Sequence, residues 1–168
     1  TIVVAADASA TDAYIGNADQ GKSKSASCAG CHGSDGNSAI ADYPKLSGQH
    51  ATYLESTLKA YRDGARENAI MGGMAGALSN EDIADLAAYY SQQTISTGAV
   101  EADLVARGEQ LYRFGDSSKG ISACTACHGP TGVGVASAIF PSLKGQWAAY
   151  SETQLKAYRD GQRQHVMM

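Results

Sequence analysis

The sequence predicts an all-α protein built from two tandem copies of one small helical domain. Residues 48–64 (GQHATYLESTLKAYRDG) and 145–161 (GQWAAYSETQLKAYRDG) are identical at twelve of seventeen positions, at an offset of 97. A repeat of this length indicates a duplicated unit. No stretch alternates in the manner of a β-strand. Apolar residues instead recur at the spacing of one helix face, most clearly at Ile83, Leu86, Ala87 and Tyr90.

The repeat divides the chain into a first domain with an N-terminal extension (residues 1–93), a linker (94–100) and a second domain (101–168). The linker is polar and has no helical periodicity. In the first copy, Ser79 and Asp82 have the spacing of a capping box at the start of the strongest helix. The second copy stops at Met168, the equivalent of Met71. We therefore expect the second domain to lack its C-terminal helix.

The composition argues against a protein that binds nucleic acid or is anchored to a membrane through basic residues. The chain has 168 residues, a net charge of −4 and only 18% charged residues, and its basic residues are scattered. This distribution argues against a nucleic-acid footprint or a polybasic membrane anchor. No apolar run approaches the roughly 20 residues that span a bilayer. The chain opens on residues 1–8 (TIVVAADA) without a Met, which fits a mature end left after export or an arbitrary boundary.

The chemistry is concentrated in two C-x-x-C-H motifs, which contain all four cysteines. Two thiols three residues apart can form thioethers with the two vinyl groups on one edge of a porphyrin, and the adjacent histidine then lies under the iron. The motifs therefore predict two covalently bound haem c groups. Their residues are Cys28, Cys31 and His32 in the first copy, and Cys124, Cys127 and His128 in the second.

Three other interpretations of the cysteines are weaker. A structural zinc site built from both pairs does not explain why a histidine follows each pair. A redox-active disulfide would need a thioredoxin-like alternation of strands and helices, which the periodicity does not show. A structural disulfide within C-x-x-C closes too short a loop to stabilise much chain.

A sixth iron ligand is expected later in each copy. Met71 and Met168 occupy matching positions, seven residues after Gly64 and Gly161. Methionine ligation raises the reduction potential of the haem relative to two histidines. The competing side chains are Met74, Met167 and, less strongly, His165.

Residues around the motifs suggest supporting roles. Pro44 and Pro141 follow the motif histidines by twelve and thirteen residues. Each is expected to lie in a rigid loop whose carbonyl accepts the second N–H of the histidine. Leu46 and Leu143 are expected to pack on the haem face. Three repeated pairs are candidates for contacts with the haem propionates: Gln49 and Gln146, Tyr53 and Tyr150, and Arg62 and Arg159.

Taken together, these segments resemble the cytochrome c4 group of dihaem cytochromes. The matching pieces in the first copy are CAGCHGSDGNSA, YPKLSGQ, LKAYRDGAR and MGGMAGALSNEDIADLAAYY. In the second copy they are CTACHGPTGVG, FPSLKGQ and LKAYRDGQR. The resemblance covers nearly the whole chain from Asp19 onward. It implies two class I cytochrome c domains related by pseudo-twofold symmetry, with the haem edges close at the interface.

The resemblance also implies specific residue roles. The axial pairs fall on His32 with Met71 and on His128 with Met168. The first and last helices of such a domain cross at a close contact, which is expected here between Gly21 and Tyr90. The second copy has Gly108 as the corresponding glycine but no crossing partner.

The predicted function is outer-sphere electron transfer by a periplasmic dihaem protein that is not an enzyme. Six-coordinate iron has no open position for a substrate. The resemblance implies a periplasmic carrier that associates peripherally with the membrane and passes electrons to a terminal oxidase. The expected donor is a cytochrome, a copper protein or a quinol-oxidising complex. The alternatives are an electron-transfer subunit of a dehydrogenase complex and, with less support, a dihaem peroxidase. No nucleic acid is expected as a partner.

Overall fold

The computed structural model describes residues 14–168, so the interpretation of residues 1–8 as a mature end lies outside the described part. The described residues form helices and two isolated β-bridges, and they contain no β-strand. The first unit contains helices α1 to α5 and the second contains α6 to α8. Their bounds are α1 Ala18–Lys24, α2 Ala26–His32, α3 Ala51–Arg62, α4 Ala69–Ala75, α5 Asn80–Ser91, α6 Ala102–Phe114, α7 Thr125–His128 and α8 Ala148–Arg159.

Helix α5 organises the first unit. It begins with the predicted capping box, in which Asp82 N–H donates to Ser79 Oγ (3.0 Å) and Ser79 N–H donates to Asp82 Oδ2 (3.0 Å). Its apolar face is buried against α1 and α3, as the helical spacing predicts. The resulting core also adjoins Cys28 and Leu46, next to the first C-x-x-C-H motif. Its buried members are Leu54, Leu86, Ala87, Tyr89 and Tyr90.

The crossing of α1 and α5 depends on the absence of a side chain at Gly21. A Cβ atom there would collide with the carbonyl of Asp85 and lie 2.8 Å from the Cβ of Tyr89. The close contact expected at Tyr90 is therefore wrong by one residue, since the helix turns Tyr89 toward α1. Tyr90 instead points into the core beside Cys28.

A fully buried carboxylate holds the chain before α1 against α5. Asp85 accepts hydrogen bonds from the Tyr14 hydroxyl (2.8 Å), the Asn17 N–H (2.7 Å) and Lys24 Nζ (2.6 Å). Burial alone would raise the pKa of Asp85, but these donors, Lys24 first, lower it overall. These three donors compensate the buried negative charge of Asp85, as a buried carboxylate requires.

The second unit has little core of its own within the described residues. Helix α6 forms where the apolar spacing predicts it, but none of its residues is buried. No atom outside α6 and the neighbouring residues lies within 4 Å of a Cβ built at Gly108. Among the described residues, no helix follows α8, so α6 has no counterpart of α5 to pack against.

Reciprocal hydrogen bonds join the two units. The side-chain amide of Gln49 donates to the Ser142 carbonyl and accepts from the Ser142 N–H, both at 2.9 Å. The amide of Gln146 makes the same two bonds with the backbone of Lys45, again at 2.9 Å. Because Gln49 and Gln146 are repeat equivalents, as are Lys45 and Ser142, this exchange is the signature of a pseudo-twofold axis.

The predicted linker, residues 94–100, contains no helix and lies between the units. Lys45 Nζ donates to the Ser96 carbonyl (2.6 Å) and lies 4.2 Å from the centroid of the Trp147 ring. Asn37 bonds both Thr94 and Ser96. The domain boundaries read from the repeat stay predictions. In residues 14–168, no helix combines the length and the hydropathy needed to cross a membrane.

Substitution of the two helical glycines tests the packing of the crossing. We expect Gly21→Ala to lower the free energy of unfolding by about 1–3 kcal/mol, the usual cost of overpacking a tight contact. Gly108→Ala is the matched control, which removes a glycine from an open helix and should change stability by about 1 kcal/mol or less, in the stabilising direction. Denaturant unfolding of the holoprotein, followed by far-UV circular dichroism, measures both. Equal effects of the two substitutions would contradict this packing.

Candidate haem-binding sites

The first motif places its three reactive side chains on one side of a short helix. Cys28, Cys31 and His32 lie in α2 at positions i, i+3 and i+4, which share a helix face. The helix ends directly after His32, at Gly33, whose φ of 80° is a conformation that few other residues adopt. The chain therefore changes direction immediately after the histidine.

The histidine is held by the proline loop. His32 is buried, and its Nδ1–H donates to the carbonyl of Pro44 over 2.8 Å. A carbonyl can only accept, so the bond assigns the proton to Nδ1 and leaves a lone pair on Nε2. Burial lowers the pKa of His32, although the Pro44 carbonyl opposes this shift. A neutral ring with a free Nε2 lone pair is the form that binds a metal.

The second unit repeats this geometry. The buried ring of His128 donates from Nδ1 to the carbonyl of Pro141 over 2.9 Å. An aromatic ring flanks the histidine in both units, with centroid separations of 6.4 Å for His32 and Tyr43 and 6.4 Å for His128 and Phe140. The same histidine orientation thus arises twice from loops of different length.

The four cysteines are half-buried and form no disulfide with one another. Burial raises the pKa of the Cys28 and Cys124 thiols. Within residues 14–168, no three His, Cys, Asp or Glu side chains converge as metal ligands. This arrangement differs from the closed four-ligand geometry of a structural zinc site.

The surroundings of the cysteines fit a large apolar cofactor. The hydroxyl of Tyr90 is buried beside Cys28 without a hydrogen-bond partner among the described residues. The second unit has an oriented, buried histidine but no buried apolar residue around it. A small domain of this kind requires something more than its own side chains to form a core. A haem attached at each motif would supply that apolar surface.

The methionines occupy different environments. Met71 is half-buried in α4, where its N–H donates to the side chain of the N-cap residue Asn68 (2.9 Å). Met74, one turn later, is 41% exposed. Met168 and Met167 end the chain and are 51% and 65% exposed. Of the two predicted haem-packing leucines, Leu46 packs against the core of the first unit, and Leu143 is 37% exposed.

Two of the three residue pairs predicted to contact the haem propionates have other partners in the structure. Both polar atoms of each amide in Gln49 and Gln146 are used across the interface, as described above. Arg62 forms an ion pair with Asp63 (2.8 Å) and also donates to the Leu78 carbonyl and the Asn80 side chain, and Arg159 forms an ion pair with Asp160 (2.7 Å). Contact of either pair with a haem propionate stays a prediction.

The arginines that do lie at the interface are Arg66 and Arg163, which the sequence analysis missed. Arg66 donates to the Tyr150 hydroxyl (3.0 Å) and Arg163 donates to the Tyr53 hydroxyl (2.8 Å). They are repeat equivalents, and each stands two residues after the glycine of an identical RDG segment. Their recurrence at equivalent positions of the repeat is the feature of the sequence that could have identified them.

Comparisons with known proteins agree with this geometry. A family model described as "Cytochrome c" matches residues 18–94 and 105–166. The cytochrome c4 of Pseudomonas aeruginosa is 46% identical over 148 residues, which cover 88% of this chain and 74% of that protein. The thiosulfate dehydrogenase electron acceptor of Thiomonas intermedia is 47% identical over 148 residues, which cover 83% of this chain and 66% of that protein.

Comparison with solved structures leads to the same family. The crystal structure of reduced recombinant cytochrome c4 from Pseudomonas stutzeri matches with a TM-score of 0.85 at 42% identity, over 89% of this chain and 83% of that one. The agreement extends over both units, in sequence and in fold. The chain therefore belongs to the cytochrome c family and, within it, to the cytochromes c4: it binds two haem c groups and is an electron-transfer protein, not an enzyme.

Proposed function

We propose that this protein relays single electrons in the periplasm, from a respiratory donor to a terminal oxidase. The observation that carries the proposal is the duplication of one oriented histidine site in a single chain, with the two copies joined by reciprocal hydrogen bonds. Such an arrangement holds two one-electron centres at a fixed separation.

The proposed axial pairs are His32 with Met71 and His128 with Met168. The proposed thioether positions are Cys28 and Cys31 in the first unit and Cys124 and Cys127 in the second. Support comes from the free Nε2 of each histidine and from the repeat equivalence of the two methionines. Two protein ligands to each iron would leave no position for a substrate, which favours electron transfer over activation of a substrate.

Each haem, when bound, supplies one reversible one-electron couple. The protein residues determine how that couple behaves. Pro44 and Pro141 orient the histidines and raise their basicity through the Nδ1 hydrogen bond. The methionine thioethers favour the reduced iron and so raise both potentials. Different burial of the two units is expected to separate the two potentials.

The proposed location and partners follow from the class of protein. Covalent attachment of haem c is typical of exported cytochromes. The donor is proposed to be a cytochrome, a copper protein or a quinol-oxidising complex, and peripheral association with the membrane would bring the protein close to the last of these. The low proportion of charged residues, 18%, suggests docking through apolar contacts more than through long-range steering.

A second candidate function is electron acceptance from a dehydrogenase. It is favoured by the identity of 47% to the thiosulfate dehydrogenase electron acceptor of Thiomonas intermedia. The two candidates differ in the donor, while the haem sites would be the same. Kinetics with defined partners therefore separate them better than spectra do.

Substitution of the methionines tests the axial assignment. We expect Met71→Ala and Met168→Ala each to abolish the iron–sulfur charge-transfer absorption of one oxidised haem. The potential of that haem should fall by roughly 100 mV or more, because axial ligands move haem potentials over about 0.8 V. Met74→Ala and Met167→Ala are matched controls and should leave both properties unchanged. Loss of the absorption in a control variant would reassign the ligand.

Electron exchange with isolated membranes tests the proposed relay. The reduced holoprotein should be reoxidised by oxidase-containing membranes of the source bacterium in a cyanide-sensitive reaction. The oxidised protein should be reduced by the same membranes when quinol is added. Reduction by a purified thiosulfate dehydrogenase with thiosulfate, without any exchange with the membranes, would contradict the relay and favour the second candidate.

A further inference from the structure

A buried lysine distinguishes the two proline loops. Both loops contain the pattern Pro-x-Leu, in which the middle residue is Lys45 in the first unit and Ser142 in the second. Lys45 is only 4% exposed, so its side chain is almost completely enclosed. The pattern therefore carries a buried positive charge in one unit and a neutral hydroxyl in the other.

The polar and aromatic groups that contact the Lys45 ammonium group are neutral. Its Nζ donates to the Ser96 carbonyl over 2.6 Å and lies 4.2 Å from the centroid of the Trp147 ring. A carbonyl oxygen and the face of an indole attract a cation but leave its charge uncompensated. None of the ion pairs formed within residues 14–168 includes Lys45. The positive charge is therefore held between the units without a carboxylate partner among these residues.

Burial makes this charge act over a longer distance than a surface charge does. Water and salt screen an exposed charge, whereas a buried charge acts through a medium of lower effective dielectric constant. Lys144, two residues after Ser142 on the second proline loop, is exposed and is therefore screened in this way. A lysine is thus present on both loops, but only the one at position 45 is buried.

The Lys45 side chain starts from the peptide unit that orients the first histidine. The carbonyl of that unit, from Pro44, accepts the Nδ1–H of His32 over 2.8 Å. Its N–H, from Lys45, donates to Gln146 Oε1 over 2.9 Å. These two hydrogen bonds fix the position of the lysine backbone relative to the histidine.

The second unit has the same backbone arrangement without the charge. The carbonyl of Pro141 accepts the Nδ1–H of His128 over 2.9 Å, and the N–H of Ser142 donates to Gln49 Oε1 over 2.9 Å. The backbone hydrogen bonds at the two histidines are therefore equivalent. The side chain after the proline, charged in one unit and neutral in the other, is a difference between them.

We propose that Lys45 selectively raises the reduction potential of the first haem and so controls the difference between the two potentials. A haem becomes less positive by one charge when it is reduced, so a nearby cation favours the reduced form. A charge attached beside His32 acts on that haem more strongly than on the haem of the second unit. The inference deepens the proposed function, because it assumes that His32 binds the iron of the first haem.

Neutral substitutions of Lys45 test the proposal. Lys45→Met keeps an unbranched side chain of similar length, and Lys45→Gln keeps a donor for the Ser96 carbonyl, so the second variant remains informative if the first loads haem poorly. In both, the reduction equilibrium of the first haem should fall by about fivefold to tenfold, and tenfold corresponds to about 59 mV for a one-electron couple. The equilibrium of the second haem should change by clearly less. Lys45→Arg keeps the charge and should keep the wild-type potentials.

Spectroelectrochemical titration of the purified holoprotein measures both reduction steps. The step that falls in Met71→Ala belongs to the first haem. Lys144→Gln is the matched control, which removes an exposed lysine and should leave both steps unchanged. At high ionic strength the shift in Lys45→Met should persist, because the charge is buried. An unchanged first step, equal falls in both steps, or the same fall in Lys45→Arg would overturn the proposal.

These outcomes are separate from the tests of the proposed function. Failure of the relay appears as absent electron exchange with membranes, which the titration of isolated protein does not involve. Failure of the axial assignment appears as Met71→Ala leaving both steps unchanged. Even then, a fall confined to one step in Lys45→Met supports a selective effect of the lysine charge, and equal falls in both steps contradict it.

Discussion

The hydrogen bond that each motif histidine donates to a proline carbonyl determines which ring nitrogen faces the interior. His32 and Pro44 make this bond in the first unit, and His128 and Pro141 make it in the second. With Nδ1 engaged, Nε2 carries the lone pair, and in the first unit the two cysteines lie on the same helix face as the histidine. The proposed attachment of haem and the proposed binding of iron by a neutral ring both depend on that orientation.

The second constraint is the pairing of the two units. The amides of Gln49 and Gln146 bind the backbone immediately after the proline of the opposite unit. The loop that orients each histidine is therefore also part of the interface, so the iron site and the contact between units share one short segment. The hydrogen bonds between the units therefore link the two histidine loops directly.

The repeat and its motifs predicted the helical fold, the capping box at Ser79 and the burial of the α5 face, because these follow from local spacing. The contact at Gly21 was placed one residue too far along α5, since the rotation of one helix against another is set by packing and not by periodicity. The sequence analysis selected Arg62 and missed Arg66, although both recur in the repeat, because only the fold shows that Arg62 pairs with Asp63 while Arg66 lies at the interface. The reciprocal hydrogen bonds of Gln49 and Gln146 could not be predicted from the sequence, because they depend on how the two units pack against each other.

The assignment of two covalently bound haems depends most directly on what the four cysteine sulfurs are bonded to. A pyridine haemochrome assay combined with the intact mass of the purified protein measures how many haems are covalently attached to each chain. The account predicts two haems per chain, with Cys28, Cys31, Cys124 and Cys127 all unreactive toward a thiol-alkylating reagent. One haem per chain, bound zinc, or a disulfide at either cysteine pair would contradict it.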